Sequence, residues 1–318
     1  MSARQEKDLL REEKIKTMLV DCPTIVKKYM TSTKKRMTSL SRLNYLRYII
    51  DYTDFINSIN VKIETAKPMD IDEYVEYTQY DKEGNENGVS IRNTKLAAVK
   101  SFYEFLEVND IIEKNPCRNV KKLKDNREHE VTYLTPEEIK QVREHIVNYD
   151  NMWAKRNECI FVLGITTGLR VSAICNIDLS DINLKKHEIK VIEKGNKPRT
   201  VKLGTTVCKV IEDWMTDREE KLNEKGKTSN ALFINPRRER LSTNAVGDML
   251  RQNTNFLDKK ISPHKMRSTC GMNLYAQNKD IYMVQEHLGH KNIQNTMIYV
   301  KATEKQKQEA ANLMDNLF

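Results

Sequence analysis

The chain has 318 residues, 39% of them hydrophobic and 31% charged, and 54 Lys and Arg stand against 45 Asp and Glu for a formal charge of +9. That length predicts about two domains. No apolar run approaches the roughly 18–20 residues that span a bilayer, and the charged N-terminus lacks a signal-peptide core, so a cytoplasmic chain with a polyanionic partner is expected, nucleic acid ahead of an acidic membrane surface.

Residues 1–30 read as helical but strongly charged, and are expected to form a charged N-terminal extension. Leu43, Leu46 and Ile50 recur at three- and four-residue spacing within residues 39–57, which predicts an amphipathic helix. Lys34, Lys35, Arg36, Arg42 and Arg47 surround it. Such a run is ordinarily a solvated face; on a basic chain it equally suits a face that tracks phosphates, so Lys34, Lys35, Arg36 and Arg42 are candidate DNA contacts. Residues 80–90 are acidic and rich in Gly and Asn, which predicts a loop. Val99, Phe102, Tyr103 and Leu106 then share a helical face, and Asn115-Pro116 stops that element.

Residues 117–132 are charged and poor in apolar side chains; an inter-domain linker is placed at 121–132. Thr135-Pro136-Glu137-Glu138 has the pattern of a capping box with proline in the first turn, a helix start. Ile189 and Val191, then Val201 and Leu203, alternate as strands around Gly195, Asn196 and Pro198, predicting a hairpin with its tip near 195–198. The remainder reads as mainly helical, broken at Asn235-Pro236 and Ser262-Pro263. The six cysteines are scattered with no CxxC pair, so they are read as reduced, buried side chains and not as a zinc site.

Three short segments carry polar groups suited to phosphate chemistry. Arg170 follows a glycine turn at a predicted helix start, where a guanidinium and helix amides can hold one anion. His264 and Arg267 are three apart, so a helical turn projects both to one side. His287 and His290 flank Leu288-Gly289, and Tyr299 lies among apolar residues nine positions after His290. Taken singly, each has a plainer explanation: a surface arginine, a surface pair, a core tyrosine. A metal site at His287 and His290 lacks an evident third ligand.

In combination and in this order, the segments resemble the tyrosine recombinase (phage integrase) family. The matching boxes are Gly168-Leu169-Arg170, the hairpin Lys194-Gly195-Asn196-Lys197, His264-Lys265-Met266-Arg267, Leu288-Gly289-His290 and Tyr299. The helix holding Leu96 to Leu106, with Asn115-Pro116 after it, resembles the end of that family's core-binding domain. The resemblance implies a mainly α fold with a small β-sheet: a helical, SAM-like core-binding domain over 31–120 and an α+β catalytic domain over 133–303. A C-terminal helix over 304–318 would follow, docking on a neighbouring protomer through Ala310, Leu313, Met314 and Leu317.

The resemblance also implies a chemistry. Tyr299 would attack a DNA phosphodiester and form a 3′-phosphotyrosyl bond, with no nucleotide or metal cofactor. Arg170 and Arg267 would clamp the phosphate and His290 would donate to it. Lys194 would protonate the leaving 5′-hydroxyl, with Lys197 and Arg199 as competing candidates. His264 would accept the tyrosine proton or act as a second clamp donor. Lys197 and Arg199 are further candidate DNA contacts, and His287 is read as a non-catalytic neighbour.

The expected partners are double-stranded DNA, clasped by both domains, and further copies of the chain in a tetramer on two DNA sites. An accessory DNA-bending or directionality factor is allowed, and nucleoid association while on DNA is expected. Ala173 and Ser268 depart from the family pattern, which often has a Glu and a second His there. With the acidic loop and the charged N-terminus they favour integration and excision of a mobile element. A Xer-type resolvase of chromosome dimers, a type IB topoisomerase-like enzyme and an inactive DNA-binding regulator on the same fold are the alternatives.

Overall fold

The computed structural model describes residues 3–125, 131–149, 152–193, 197–300 and residue 312. The chain divides into two compact units, Met1–Glu128 and His129–Phe318.

The first unit is helical among the described residues: α1 (Ala3–Met18), α2 (Thr24–Ser32), α3 (Ser39–Ser58), α4 (Pro68–Tyr77) and α5 (Val89–Val108). Its core is aromatic. Tyr29, Tyr52, Tyr74, Phe102 and Tyr103 are fully buried. Edge-on pairs such as Tyr29–Phe102 and Tyr52–Tyr74, with centroids 5.3 and 5.0 Å apart, fill the space between helices. The buried hydroxyls are matched. Tyr52 and Tyr103 share a 2.5 Å hydrogen bond, Tyr103 donates to the Ile63 carbonyl, and Tyr74 donates to Asp51.

Two expectations are corrected here. The charged extension expected over residues 1–30 contributes to the core of the first unit: Ile15 of α1 is 1% exposed, and Val26, Tyr29 and Met30 of α2 lie in the same core. A single buried position per few turns is hard to see amid so much charge. Arg42, expected to face DNA, is buried. Its guanidinium pairs with Glu12 of α1 and donates to the Met30 carbonyl at 3.2 Å and the Thr33 hydroxyl at 3.3 Å. Lys34, Lys35 and Arg36 lie exposed around the short 3₁₀ turn Thr33–Lys35.

The second unit holds α6 (Pro136–Tyr149), α7 (Ala154–Thr167), α8 (Val171–Cys175), α9 (Thr205–Asn223), α10 (Thr243–Asn253), α11 (Pro263–Asn278), α12 (Ile281–Leu288) and α13 (Gln294–Met297). Its antiparallel sheet runs in the order β1 (Ile182–Asn183), β2 (Glu188–Glu193), β3 (Lys197–Lys202). The predicted hairpin is present, with Ile189 opposite Val201 and Val191 opposite Arg199. The capping box of α6 is also present: Glu138 N–H donates to the Thr135 hydroxyl, and Thr135 N–H donates to the Glu138 carboxylate at 2.8 Å.

The central helix is α7, with Cys159, Ile160, Phe161 and Leu163 fully buried and α6, α9 and α11 packed round it. Gly164 lets α11 approach: a Cβ there would lie 2.8 Å from the Met266 sulfur. This packing fixes α11 against the end of α7, and the candidate site forms at that junction.

Candidate active site

Helix α7 ends at Gly168, which has φ +59, and a Cβ there would lie 2.3 Å from Leu288 Cδ2. Only glycine combines that backbone with that closeness. The turn aims the Gly168 carbonyl at α11 and sets Arg170, half-buried, at the N-cap of α8. Helix α11 opens with Pro263 in its first turn, and carries His264, Arg267, Ser268 and Gly271 along consecutive turns.

Arg267 is 2% exposed. Its guanidinium forks between the carbonyls of Gly168 and Leu288, each at 2.7 Å, and so ties the ends of α7 and α12 to α11. Carbonyl dipoles orient the cation without cancelling its charge, which suits a group that must meet an anion. His264 stands exposed one turn earlier. Its pKa lies below the ordinary imidazole value, through lost hydration first and then through the charges of Arg267, Lys265 and Arg170. His264 shares α11 with Arg267, and Arg170 lies two residues past the Gly168 carbonyl that Arg267 bonds.

Helix α12, capped by Asp280, ends at Gly289 with φ +66. His287 shares a 2.8 Å hydrogen bond with the Thr166 carbonyl, a structural tie to α7. His290 lies past the turn, its Nδ1 2.9 Å from the hydroxyl of the buried Thr296. That contact sets the ring, which lies nearly parallel to the Tyr299 ring with centroids 6.4 Å apart.

Tyr299 is 3% exposed and packs with Cys270, Val284 and Leu288. Its ring lies close against α11 at Gly271, where a Cβ would come within 2.6 Å of Cε2 and 2.7 Å of Cζ. Burial raises the phenol pKa, and the Arg267 charge opposes the rise.

The structure thus brings together Arg170, His264, Arg267, His290 and Tyr299. Lys194 lies outside the described residues, as do the side chain of Lys197 and the tail helix expected over 304–318. Arg199 is half-buried, and its guanidinium donates to the carbonyls of Glu286 and His287. It ties β3 to the end of α12, a role that sequence reasoning missed when it read this side chain as a DNA contact. Sequence reasoning also passed over Thr296 and Gly271. The second had a signal: an isolated glycine within a helical run points to a close packing partner.

Comparison with known proteins agrees with this geometry. Residues 132–306 match the model described as the phage integrase family, and residues 27–109 match the phage integrase N-terminal SAM-like domain. A tyrosine recombinase XerC of Caldanaerobacter subterraneus is 33% identical over 264 residues, covering 81% of this chain and 72% of that protein. A tyrosine recombinase XerA of Pyrococcus furiosus is 32% identical over 239 residues, covering 72% of this chain and 78% of its own. Among solved structures, the Tn1549 transposon integrase in complex with transposon right end DNA aligns with TM-score 0.72 at 19% identity, over 92% of this chain and 99% of that one. The domain pair, the arginine–histidine–tyrosine junction and these matches lead to one statement: the chain belongs to the phage integrase family and is a tyrosine site-specific recombinase, an enzyme that cleaves and rejoins DNA through a tyrosine intermediate.

Proposed function

We propose that Tyr299 is the nucleophile of strand exchange and that Arg170, His264, Arg267 and His290 hold the phosphate it attacks. One observation carries this reading: the two arginines and two histidines picked out by sequence meet a buried tyrosine at the junction of α7, α11 and α12. The Tyr299 phenol gives up its proton, for which His264 is the candidate acceptor, and its oxygen bonds to phosphorus as the bond to the 5′-oxygen breaks, leaving a 3′-phosphotyrosyl link. The phosphodiester bond energy is kept in that link. The leaving oxygen takes a proton, for which Lys194 is the candidate by motif position.

Charge grows on the non-bridging oxygens in the transition state. Arg170 and Arg267 meet it, and donors aimed this way contribute about 3–4 kcal/mol each. His264, whose pKa is lowered by lost hydration and then by the charges of Arg267, Lys265 and Arg170, can take the tyrosine proton or serve as a second clamp donor. The test is covalent capture on a nicked suicide duplex built on the sequence that the protein selects from a random DNA library. Wild type should accumulate a protein–DNA adduct and Tyr299→Phe none. An adduct in the variant, or none in wild type, overturns the assignment.

Two biological roles fit the chemistry. Integration and excision of a mobile element is favoured by the departures at Ala173 and Ser268 and by the acidic loop at 80–90. Resolution of chromosome dimers is favoured by the relatives named XerC. Sequencing the DNA junctions formed in cells separates them, since one role joins an element to a new site and the other exchanges two copies of one site.

Assembly is proposed as a tetramer on two DNA sites, with the tail stripe of Ala310, Leu313, Met314 and Leu317 reaching a second copy. Tyr282, Met283, Met297 and Ile298, exposed on the packed pair α12 and α13, offer that stripe an apolar surface. An accessory DNA-bending or directionality factor and residence on the nucleoid complete the proposed setting.

A further inference from the structure

We propose that Arg199 is a positioning residue for the reaction: from β3 it grips the C-terminal carbonyls of α12 and so fixes the Leu288-Gly289-His290 turn that presents His290. This inference rests on the reading of His290 as a donor to the phosphate.

Three observations carry it. First, Arg199 stands in the inward row of the sheet. Pro198, Thr200 and Lys202 of β3 are exposed, whereas Val201 is buried, and Arg199 lies opposite the buried Val191. Strand alternation puts Arg199 on the same face as these two valines. A guanidinium on that face needs acceptors from the protein.

Second, its acceptors are the end of α12. The last four carbonyls of an α-helix have no partner within it. In α12 they belong to Gln285, Glu286, His287 and Leu288. Arg199 donates to the Glu286 carbonyl at 3.1 Å and to that of His287, and Arg267 donates to the Leu288 carbonyl at 2.7 Å. Two cations thus close the negative end of the helix dipole, one from the sheet and one from α11.

Third, the main chain of His290 is bound to that same end. Its N–H donates to the Gln285 carbonyl at 3.0 Å, and its carbonyl accepts from the Gln285 side chain at 3.0 Å. A shift in the last turn of α12 therefore carries His290 with it. Without Arg199 the turn keeps its ties to α7, through His287 and the Thr166 carbonyl, and to α11, through Arg267. The fold then persists while the placement of His290 loosens, and a catalytic donor must be held to within about 0.5 Å.

The measurement is single-turnover adduct formation on the nicked suicide duplex with saturating full-length protein, beside equilibrium binding of that duplex over a range of salt. Arg199→Met keeps the length of the stem and donates nothing. It should slow cleavage at saturation about ten- to a hundredfold, the scale reached when a reacting group is misplaced by about 1 Å, with the affinity and its salt slope unchanged. Arg199→Lys keeps the charge but lacks the planar fork, and should recover part of the rate. In a His290→Ala background the further loss from Arg199→Met should shrink to about twofold or less, since the group it aligns is gone. In the DNA-free protein labelled with ¹⁵N-histidine, the ring resonances lost in His290→Ala should shift in Arg199→Met.

An undiminished rate at saturation with a salt slope lower by about one would make Arg199 a phosphate contact and overturns the proposal. So does a loss of rate fully additive with that of His290→Ala, the mark of a mere support of the fold, or a His290 resonance indifferent to position 199. Should Arg199→Met fail to fold, the cycle and the resonance are read in Arg199→Lys. A His290→Ala protein that cleaves at the wild-type rate instead removes the reading of His290 beneath the proposal, and so the two failures are told apart.

Discussion

His264 shows how a cationic pocket tunes a single side chain. Its imidazole stands in the clamp, and lost hydration together with Arg267, Lys265 and Arg170 disfavours its proton. It is therefore neutral at pH 7, able to present one N–H to a phosphate without adding charge to a site that already holds two guanidinium groups. Its folded pKa lies below the unfolded value of about 6.5. Between those values the unfolded chain binds more protons than the folded one. Stability is full above the unfolded value and declines as pH falls towards the folded one. The predicted outcome is an imidazole resonance, absent in His264→Gln, that titrates below ~6.5 in the DNA-free protein. A midpoint at or above that value would contradict the environment described. A bound phosphate has the opposite sign of effect, and DNA binding should raise the midpoint.

At the scale of elements, α1 decides whether the first thirty residues belong to the fold. The helix buries Ile15 in the core of the first unit and sends Glu12 to the buried guanidinium of Arg42. Ile15→Ala should cost roughly 2–4 kcal/mol, read as a fall of roughly 10 °C in the unfolding midpoint of that unit. Leu10→Ala, at a position 59% exposed, should stay within about 0.5 kcal/mol. Equal behaviour of the two variants would return α1 to the status of an appended tail.

This contrast marks what a sequence can and cannot show. The helices α3, α5 and α6 and the hairpin were legible because their signals are local: apolar spacing, a capping box, alternation about a Gly-Asn turn. The candidate set Arg170, His264, Arg267, His290 and Tyr299 was legible because short polar segments follow one another in the order that the family resemblance rests on. Arg42 was misread because its partners, Glu12 and the Met30 carbonyl, lie on other helices and leave no mark in its neighbourhood. Gly271 was passed over for the same reason: its meaning appears only once Tyr299 packs against it from another element.

At the scale of the whole molecule, a formal charge of +9 is a statement about affinity, not about sequence preference. Each lysine or arginine that neutralises a phosphate releases counterions, and the logarithm of affinity falls with the logarithm of salt by about 0.9 per contact. Lys34, Lys35 and Arg36 are exposed, whereas Arg42 is buried. The two classes should therefore fail differently. Replacing Lys34, Lys35 and Arg36 together by Gln should flatten the salt dependence of DNA binding by roughly 2–3 in slope if all three meet phosphates, with the thermal midpoint unchanged. Arg42→Ala should leave the slope alone and destabilise the first unit by ~1–3 kcal/mol, because Glu12, the Met30 carbonyl and the Thr33 hydroxyl lose their partner. Titrations over a range of salt, paired with thermal melts, read both quantities from the same proteins. A triple variant with an undiminished slope would move the phosphate-tracking face elsewhere on the first unit. A flattened slope in Arg42→Ala at constant stability would mean that this guanidinium reaches DNA after all.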